Sequence, residues 1–398
     1  MDKEVISLQE YKGEVSEELQ RILDYWTSYT VDLEHGGFYG KLSNDNVVEP
    51  KAPKGAVLNA RILWSFAAAH NLDPAHSLEL ADRAYQYILD HFMDQEYGGV
   101  YWTVDFEGKP LDTKKQVYAV AFTIYALSEY YIAKGDPGII AHAISLYQDL
   151  LKHSYDHIYG GFLEAFDRKW QDMADLRLSE KDANEKKTMN THLHVLEAFT
   201  NLYRIWPDPE LKSQIVRLIQ NFQTHIVNAE TGRMMLFFDE QWKPKSDTIS
   251  YGHDIEASWL LLEAAEVIEN PEMIKDVKAL ALKMAEACKT GLDQDGALWY
   301  EYEPSEQHII KEKHWWVQAE AMVGFFNAWQ LSNQKAYLHI SIQNWNFVKA
   351  AILDKEHGEW LWGVNDDGSL MQGEDKAGLW KCPYHNSRAC IELIKRIK

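Results

Sequence analysis

The segment SYGHDIEASW, residues 250–259, places a histidine and a glutamate three positions apart inside an apolar stretch. In a helix, His253 and Glu256 share one face, whereas Asp254 points elsewhere. Histidine exchanges protons near neutrality because its unperturbed pKa is about 6.5. A carboxylate beside an imidazole orients the ring and raises its basicity. The segment therefore predicts a general acid–base histidine, His253, that Glu256 supports.

Five further segments also begin with polar and aromatic residues and continue as apolar helix patterns. They are KGAVLNARILW (54–64), KQVYAVAFTIY (115–125), KTMNTHLHVLE (187–197), KHWWVQAEAM (313–322) and LWKCPYHNSRA (379–389). One register supplies Arg61, Phe122, His194, Glu256, Glu320 and Arg388, and the turn before it supplies Tyr118, Asn190, His253, Trp316 and His385. Buried polar groups are costly unless they are paired, so this recurrence predicts one shared pocket.

Histidines on separate helices suit proton transfer at a carbon atom. In an open-chain aldose, the neighbouring carbonyl group acidifies the hydrogen at C2. One neutral imidazole can remove this hydrogen to give an enediolate, and a second, protonated imidazole can return it on the opposite face. The enediolate oxygens need fixed donors such as arginine and asparagine. This chemistry employs His194, His253 and His385 together with Arg61 and Asn190.

Two other chemistries remain open from the residues alone. Cys382 and His385 have the CxxH spacing of a zinc ligand pair, which the other two histidines could complete, although no second cysteine follows. A glycoside hydrolase needs two carboxylates that flank the scissile bond, and Glu256, Glu320 and Asp182 could supply them. That mechanism leaves the histidines without a role. We therefore favour proton transfer at carbon and predict no metal and no other cofactor.

A long period in the chain predicts how the six helix starts are positioned. Hairpin-like stretches such as DLEHGGFYG (from 32) and DQEYGGVYW (from 94) recur six times. Their aligned glycines are spaced by 62, 62, 72, 64 and 62 residues: Gly36, Gly98, Gly160, Gly232, Gly296 and Gly358. An amphipathic helix pattern precedes the hairpins, and a pattern that is apolar nearly all round follows them.

A fixed period of helix pairs is typical of a repeat architecture. We predict an all-α fold, an (α/α)6 barrel of six inner and six outer helices with short β-hairpins at one end. It forms a single catalytic domain over residues 1–398. The last inner helix has no outer helix after it, so residues 10–29 should supply its partner. An open superhelix is the alternative.

Composition restricts the partners. The net charge of −21 argues against a nucleic-acid binder, which needs basic residues to neutralise phosphates. No apolar stretch of about 18 residues is present to span a membrane, and the N-terminal residues lack the apolar region of a secretion signal. Cys288, Cys382 and Cys390 form no pairing pattern, which predicts reduced thiols and a cytoplasmic location. We expect a monomer that binds a small sugar on some of its 15 tryptophans and 21 tyrosines.

Four segments carry a resemblance to a known family: KDANEKKTMNTHLHVLEAFTNLYRIWP, SYGHDIEASWLLLEA, KHWWVQAEAMVGF and LWKCPYHNSRACIE. They resemble the cellobiose 2-epimerases of the N-acylglucosamine 2-epimerase superfamily, over essentially the whole chain. The resemblance implies an (α/α)6 barrel that needs no metal or nucleotide. It also implies interconversion of β-1,4-linked glucose and mannose at a reducing end, as in cellobiose and lactose, with isomerisation of lactose to lactulose in some members. One departure is Cys382, which stands where glycine is expected.

The resemblance also implies roles for individual residues. His253 and His385 are the acid–base pair at C2, and His194 assists proton movement on the C1 and C2 oxygens. The other residues hold the substrate or support the pair: Arg61 and Asn190 at those oxygens, Glu256 behind His253, Tyr118 and Asp182 in the reducing-end pocket, Trp316 under the reducing-end sugar and Trp380 under the second sugar. The alternatives are a mannose 2-epimerase or an aldose–ketose isomerase acting on monosaccharides, and a sugar-binding module.

Overall fold

Twelve α-helices run through residues 6–398, the part of the chain that the computed structural model describes. They are α1 (Leu8–Tyr29), α2 (Ala56–Leu72), α3 (Glu79–Tyr87), α4 (Val117–Lys134), α5 (Pro137–His153), α6 (Met189–Ile205), α7 (Pro209–Asn221), α8 (Tyr251–Val267), α9 (Pro271–Cys288), α10 (Trp315–Ser332), α11 (Lys335–Phe347) and α12 (Tyr384–Arg396). Even-numbered helices form an inner ring, and odd-numbered helices cover it. Residues 1–5, which belong to the segment used to argue against a secretion signal, lie outside the described residues.

The inner helices are apolar on nearly every side because both their neighbours in the ring and the outer layer cover them. In α4 every residue from Val117 to Tyr130 is buried, whereas α7 buries residues of one face only. Each inner helix packs against the next one along the chain, and α12 packs against α2. The ring is therefore closed, which confirms the predicted barrel and makes the open superhelix wrong.

Helix α1 is the outer partner of the last inner helix, as predicted from residues 10–29. A capping box closes its N-terminus, because the side chains of Ser7 and Glu10 each accept a bond from the other's backbone amide. The helix then begins at Leu8, and its buried face packs against α12. The repeat is thus completed by contacts between distant parts of the sequence.

Short strands lie at the end of the barrel where the inner helices begin. They are β1 (Lys54–Gly55), β2 (Thr103–Val104), β3 (Pro110–Asp112), β4 (Lys115–Gln116), β5 (Ala165–Phe166), β6 (Lys187–Thr188), β7 (Phe237–Phe238), β8 (Ile249–Ser250), β9 (Glu301–Glu303), β10 (His308–Ile310), β11 (Lys313–His314) and β12 (Gly363–Val364). The strand before an inner helix pairs antiparallel with the strand after the next hairpin, as β1 does with β2. The six periodic glycines have φ between 71° and 90°, a left-handed conformation that glycine adopts without strain.

Five of the six repeats contain an ion pair with a buried lysine beneath the hairpin. These lysine–aspartate pairs are Lys54–Asp32 at 2.7 Å, Lys115–Asp94 at 2.8 Å, Lys187–Asp156 at 2.7 Å, Lys313–Asp293 at 2.6 Å and Lys376–Asp354. In the fourth repeat, Ile249 and Asn228 take the two positions. There Arg233 instead bonds Asp254 of α8 at 2.8 Å. The pairs fasten the hairpins to the helix starts and thereby fix where each inner helix begins.

Two observations bear on the expectations drawn from composition. No helix within residues 6–398 is both long enough and apolar enough to cross a bilayer. Cys288, Cys382 and Cys390 are buried and unpaired.

Candidate active site

Three histidines from three inner helices lie at the hairpin end of the barrel, and each is held through its Nδ1 atom. The partner atoms are Glu197 Oε2 for His194 at 2.9 Å, Glu320 Oε1 for His385 at 2.7 Å and Ser250 Oγ for His253 at 2.8 Å. His194 and His385 are buried, and His253 is partly buried. An imidazole held through one nitrogen has a fixed orientation and presents its other nitrogen, Nε2, to the surroundings.

Arg388 of α12 connects three glutamates, one from each of three other inner helices. Its Nη2 donates to Glu256 Oε1 at 2.5 Å and to Glu320 Oε1 at 2.6 Å, and its Nη1 donates to Glu197. All four side chains are buried. The hydroxyl group of Tyr384 also donates to Glu197. We refer to Arg388, Glu197, Glu256 and Glu320 as the arginine hub.

The expectation that Glu256 supports His253 is wrong. The carboxylate of Glu256 bonds Arg388, and the Nδ1 atom of His253 has a hydroxyl partner. The same spacing of three residues does give a carboxylate–imidazole pair on α6, between His194 and Glu197. On α8 the guanidinium competes for the carboxylate, and a charge-assisted bond to it is stronger than a bond to a neutral imidazole.

Burial and mutual repulsion set the protonation of the arginine hub. Burial raises the pKa of Glu256, and the neighbouring Glu320 raises it further. Burial also raises the pKa of Glu320, against the attraction of Arg388. Burial opposes the ionisation of Glu197 as well, but Arg388 and His194 bring its pKa down to about 2. Because one guanidinium does not neutralise three carboxylates, the hub keeps a proton on its Glu256–Glu320 side near neutral pH.

Burial lowers the pKa of all three histidines. For His253 the pKa falls to about 3, and His194 adds to the effect of burial. The pKa of His385 falls well below its usual value because Arg61 and Arg388 reinforce burial. For His194, burial outweighs the attraction of its carboxylate partner and the pKa is again lowered. Because each pKa lies below the ordinary value of 6.5, the three imidazoles are neutral at pH 7.

Arg61 of α2 lies among aromatic rings. Its guanidinium carbon is 4.2 Å from the ring centre of Phe122 and 4.8 Å from that of Tyr384. Its Nη2 donates to the hydroxyl of Tyr118 at 2.7 Å, whereas its buried Nε has no partner in the described part of the chain. Asn190 of α6 likewise leaves its buried Oδ1 without a partner among residues 6–398. Such atoms mark where a ligand or an ordered water completes the bonding.

Two half-buried tryptophans offer ring surface beside these groups. The ring centre of Trp316 lies 4.7 Å from that of His253 and 5.7 Å from that of His385. The ring of Trp380 lies 5.7 Å from Trp102. An indole face is a large, rigid apolar surface on which the C–H face of a sugar can stack. Trp316 therefore places such a surface between two imidazoles.

Asp182 bonds within its own loop, between β5 and β6. Its Oδ2 accepts from the backbone amide of Ser179 at 2.9 Å and from the hydroxyl at 3.0 Å. Burial raises the pKa of Asp182. Burial also raises the pKa of Glu301 on β9 to about 7, and the nearby carboxylate of Asp182 contributes to that increase. The adjacent Tyr300 lies 6.3 Å from Trp316. Asp182 thus lies near Glu301 and Tyr300, and its hydrogen bonds are to Ser179 of its own loop.

Residues of both candidate sets of metal ligands already bond other groups within residues 6–398. Within residues 6–398, Glu256, Glu320 and His385 bring three ligand atoms within 4.8 Å of one another. The guanidinium of Arg388 already bonds both carboxylates and supplies the positive charge there. In the CxxH pair, Cys382 Sγ lies 3.8 Å from Nη1 of Arg61. His385 bonds Glu320 instead.

Four residues of the site have no role in the sequence-based prediction: Glu197, Ser250, Tyr384 and Arg388. A signal for two of them is present, because a histidine is followed three residues later by a charged residue in α6, α8 and α12. That spacing identifies Glu197 and Arg388 as candidates. It does not identify the pairs that form between helices.

The fold and the site define an (α/α)6 barrel with a buried pocket of imidazoles and paired charges. The sequence profile of the N-acylglucosamine 2-epimerase (GlcNAc 2-epimerase) family matches residues 36–389. The chain belongs to this family, as its motifs predicted, and is an epimerase, an enzyme of the isomerase class.

Similar proteins extend over the whole length of the chain. The cellobiose 2-epimerase of Bacteroides fragilis is 49% identical over 385 residues, which are 96% of this chain and 98% of that protein. The solved structure of cellobiose 2-epimerase from Bacillus thermoamylovorans B4167 has a TM-score of 0.93 at 39% identity and covers 98% of this chain and 100% of its own. That of cellobiose 2-epimerase from Spirochaeta thermophila DSM 6192 has a TM-score of 0.92 at 37% identity, with 98% and 97% covered.

Proposed function

We propose that this epimerase interconverts reducing-end glucose and mannose in β-1,4-linked disaccharides such as cellobiose and lactose. The observation that carries the proposal is the set of three imidazoles, on three different helices, that are all held through Nδ1 and have Nε2 available. Three relatives at 37–49% identity are cellobiose 2-epimerases, which supports the choice of substrate. Within residues 6–398, Arg61 has an unpartnered buried donor, Nε, that suits an oxygen of an enediolate, and the unpartnered Oδ1 of Asn190 can accept from a sugar hydroxyl group.

In this proposal, His253 and His385 act at C2 from the two faces of the sugar. Trp316 supports this assignment because its ring contacts both imidazoles, so a reducing-end sugar stacked on it lies within reach of both. A neutral Nε2 atom on one side removes the C2 hydrogen, and Nε2–H on the other side returns a proton to the planar enediolate. His194 moves protons between the C1 and C2 oxygens, while Arg61 stabilises their negative charge.

The arginine hub supplies the proton that His385 needs. Glu320 has a raised pKa and contacts His385 Nδ1 directly. When His385 gives its Nε2 proton to carbon, its Nδ1 atom can take the proton of Glu320, which then ionises beside Arg388. The ring of His385 therefore stays neutral in this step.

The second sugar is proposed to stack on Trp380. The ring of Trp380 is held 5.8 Å from Tyr118, which bonds Arg61 at the reducing-end position, and 5.7 Å from Trp102. The ring centre of Tyr118 lies 5.0 Å from that of His194, so this aromatic group adjoins the histidines. Tyr118 and Asp182 are proposed to lie in the pocket for the reducing-end sugar. We further infer that the chain works as one domain and as a monomer in the reducing cytoplasm, in keeping with its unpaired buried cysteines.

Proton NMR of cellobiose with the enzyme in D2O tests the proposal. We expect deuterium to enter C2 and the mannose-containing epimer to accumulate. Deuterium at C1 together with a ketose product would instead indicate an aldose–ketose isomerase, and exchange with free mannose alone would indicate a monosaccharide 2-epimerase. Release of glucose would indicate a hydrolase, and no exchange on any of these sugars would leave a sugar-binding module.

A further inference from the structure

Ser250 occupies the N-cap position of α8 but does not cap the helix. A serine at this position normally accepts a bond from a backbone amide of the first turn. Thr188 does so at the start of α6, where its hydroxyl accepts from the amide of Thr191 at 3.1 Å. The buried hydroxyl of Ser250 is turned to His253 Nδ1 instead, at 2.8 Å. Ser250 therefore bonds the imidazole of His253 instead of capping α8.

This contact differs in kind from those of the other two histidines. His194 and His385 have carboxyl partners, Glu197 and Glu320. A carboxyl group acquires a charge when it ionises, and that charge stabilises a protonated ring, whereas a hydroxyl stays neutral and can both donate and accept. A hydroxyl that accepts from Nδ1 therefore holds a neutral imidazole in place without favouring the charged ring.

The titratable groups around His253 show why its hydrogen bond to Ser250 matters. Of the titratable groups on the helices packed against α8, His194 on α6 disfavours a charge on His253 and Glu320 on α10 favours it. On α8 itself, Asp254 is tied to Arg233 and Glu256 to Arg388. The hydroxyl is thus the direct hydrogen-bond partner of the ring.

We propose that Ser250 is a positioning residue that holds His253 as a neutral ring with hydrogen on Nδ1 and a lone pair on Nε2, ready to accept the C2 proton. The inference rests on the proposed epimerase function. When His253 takes the proton from C2, the C–H bonding pair remains in the enediolate and the ring becomes an imidazolium that still donates from Nδ1 to Ser250. When the ring returns the proton to carbon, the neutral Nδ1–H form is restored. Without the acceptor, the neutral ring shifts toward the Nε2–H tautomer, which has no lone pair for C2.

Substitutions at Ser250, with Thr188→Ala as the matched control, test the proposal. We expect Ser250→Ala to lower kcat by at least about 10-fold, less than the about 10²-fold or more of losing an acid–base group. Ser250→Thr should restore most of the activity because it keeps the hydroxyl. Ser250→Asp should move both limbs of the kcat/KM profile to higher pH because it adds a charge that favours imidazolium. Thr188→Ala removes a true cap, so it should lower Tm and leave the pH profile in place.

The tautomer can be observed without any turnover. Two-bond ¹H–¹⁵N correlation spectra of the full chain with ring-labelled histidine distinguish the Nδ1–H and Nε2–H forms, and His253→Asn assigns the signal. We expect the Nδ1–H form in the wild type and a shift toward Nε2–H in Ser250→Ala. Absence of epimerisation by the wild type with this tautomer present would reject the proposed function alone. An unchanged tautomer in Ser250→Ala, or an activity loss that Ser250→Thr does not rescue, would overturn the role of Ser250.

Discussion

Two sets of buried charges lie at the hairpin end of the barrel, and they are satisfied to different degrees. In the lysine–aspartate pairs, each lysine meets an aspartate and usually a backbone carbonyl as well. Lys54 Nζ, for example, donates to Asp32 at 2.7 Å and to the carbonyl of Gly36 at 2.8 Å. These groups have the partners that a buried charge needs. Their geometry indicates that they hold hairpins to helices.

The arginine hub is different because its charges do not balance. Three carboxylates share Arg388, and Glu256 Oε2 and Arg388 Nε are buried without a partner in the described part of the chain. A group selected only for stability would be fully paired. Carboxylates that are not neutralised and polar atoms without a partner, both next to imidazoles, therefore distinguish a site of proton transfer from ion pairs that only stabilise the fold.

Removal of a histidine side chain should lower turnover more than any other change. It should also distinguish the site around the arginine hub most clearly from the lysine–aspartate pairs. We expect His253→Ala and His385→Ala each to lower kcat by at least about 10²-fold, because each removes a general acid–base group. Tm should change little, since neither ring neutralises a charge of the lysine–aspartate pairs. Steady-state kinetics on cellobiose with thermal melting measures both. More than a tenth of wild-type turnover in either variant would exclude that histidine from the chemistry.

Lys54→Met probes the other set. The substitution leaves Asp32 buried without its ion-pair partner, so the free energy of unfolding should fall by about 3–5 kcal/mol. We expect kcat and KM below the melting temperature to remain within about twofold, since Lys54 contacts no residue of the hub. Urea unfolding gives the first quantity and kinetics the second. A stable variant with low turnover would show that the pair positions α2 for catalysis.

The contributions of Glu256 and Glu197 to the stability of the fold should change with pH in opposite directions. Glu256 has a pKa raised above its ordinary value of 4.5, so its contribution to stability is full below that pH and is lost as the pH rises through the folded-state pKa. Glu197 has a pKa lowered to about 2, so its contribution is present above pH 4.5 and is lost on acidification. Urea midpoints across the pH range should therefore lose their neutral-side slope in Glu256→Gln and their acid-side slope in Glu197→Gln. The same change of slope in both variants would contradict the uneven sharing of Arg388.

Trp380→Ala tests whether the second sugar of a disaccharide stacks on Trp380. Loss of a stacking surface should weaken kcat/KM for cellobiose by about 1–2 kcal/mol and leave that for mannose nearly unchanged. Competition kinetics with the two sugars measures the difference directly. Equal losses would place Trp380 at the reducing-end sugar or make it purely structural.

Chelation should have the smallest effect. Arg388 already supplies the positive charge between the two carboxylates that could hold an ion. We therefore expect exhaustive EDTA treatment to leave the activity on cellobiose intact, with no need for added nucleotide. Loss of activity that zinc alone restores would revive a metal site at His385 and Cys382.

The sequence predicts the barrel well because its signals are local and repeated. Glycines at a constant period, followed by two-sided apolar helices, leave few alternatives to a ring. The partners of the histidines are harder to predict. His194 and Glu197 have the same spacing as His253 and Glu256, yet only the first two bond, because Arg388 from another helix claims Glu256. Such competition depends on the relative rotation of helices, which spacing along one helix does not report.

The closure of the ring by α1 has a consequence for how the chain acquires its structure. Lys12 Nζ donates to the carbonyl of Ile397 at 2.7 Å, across 385 residues of sequence. Contacts of this range are slow to form because a long loop must close first. During synthesis α1 emerges early, with its apolar face uncovered, and α12 emerges late. The helix that carries His385 can thus be covered by α1 only after α12 has been made, and until then the apolar face of α1 lacks this partner.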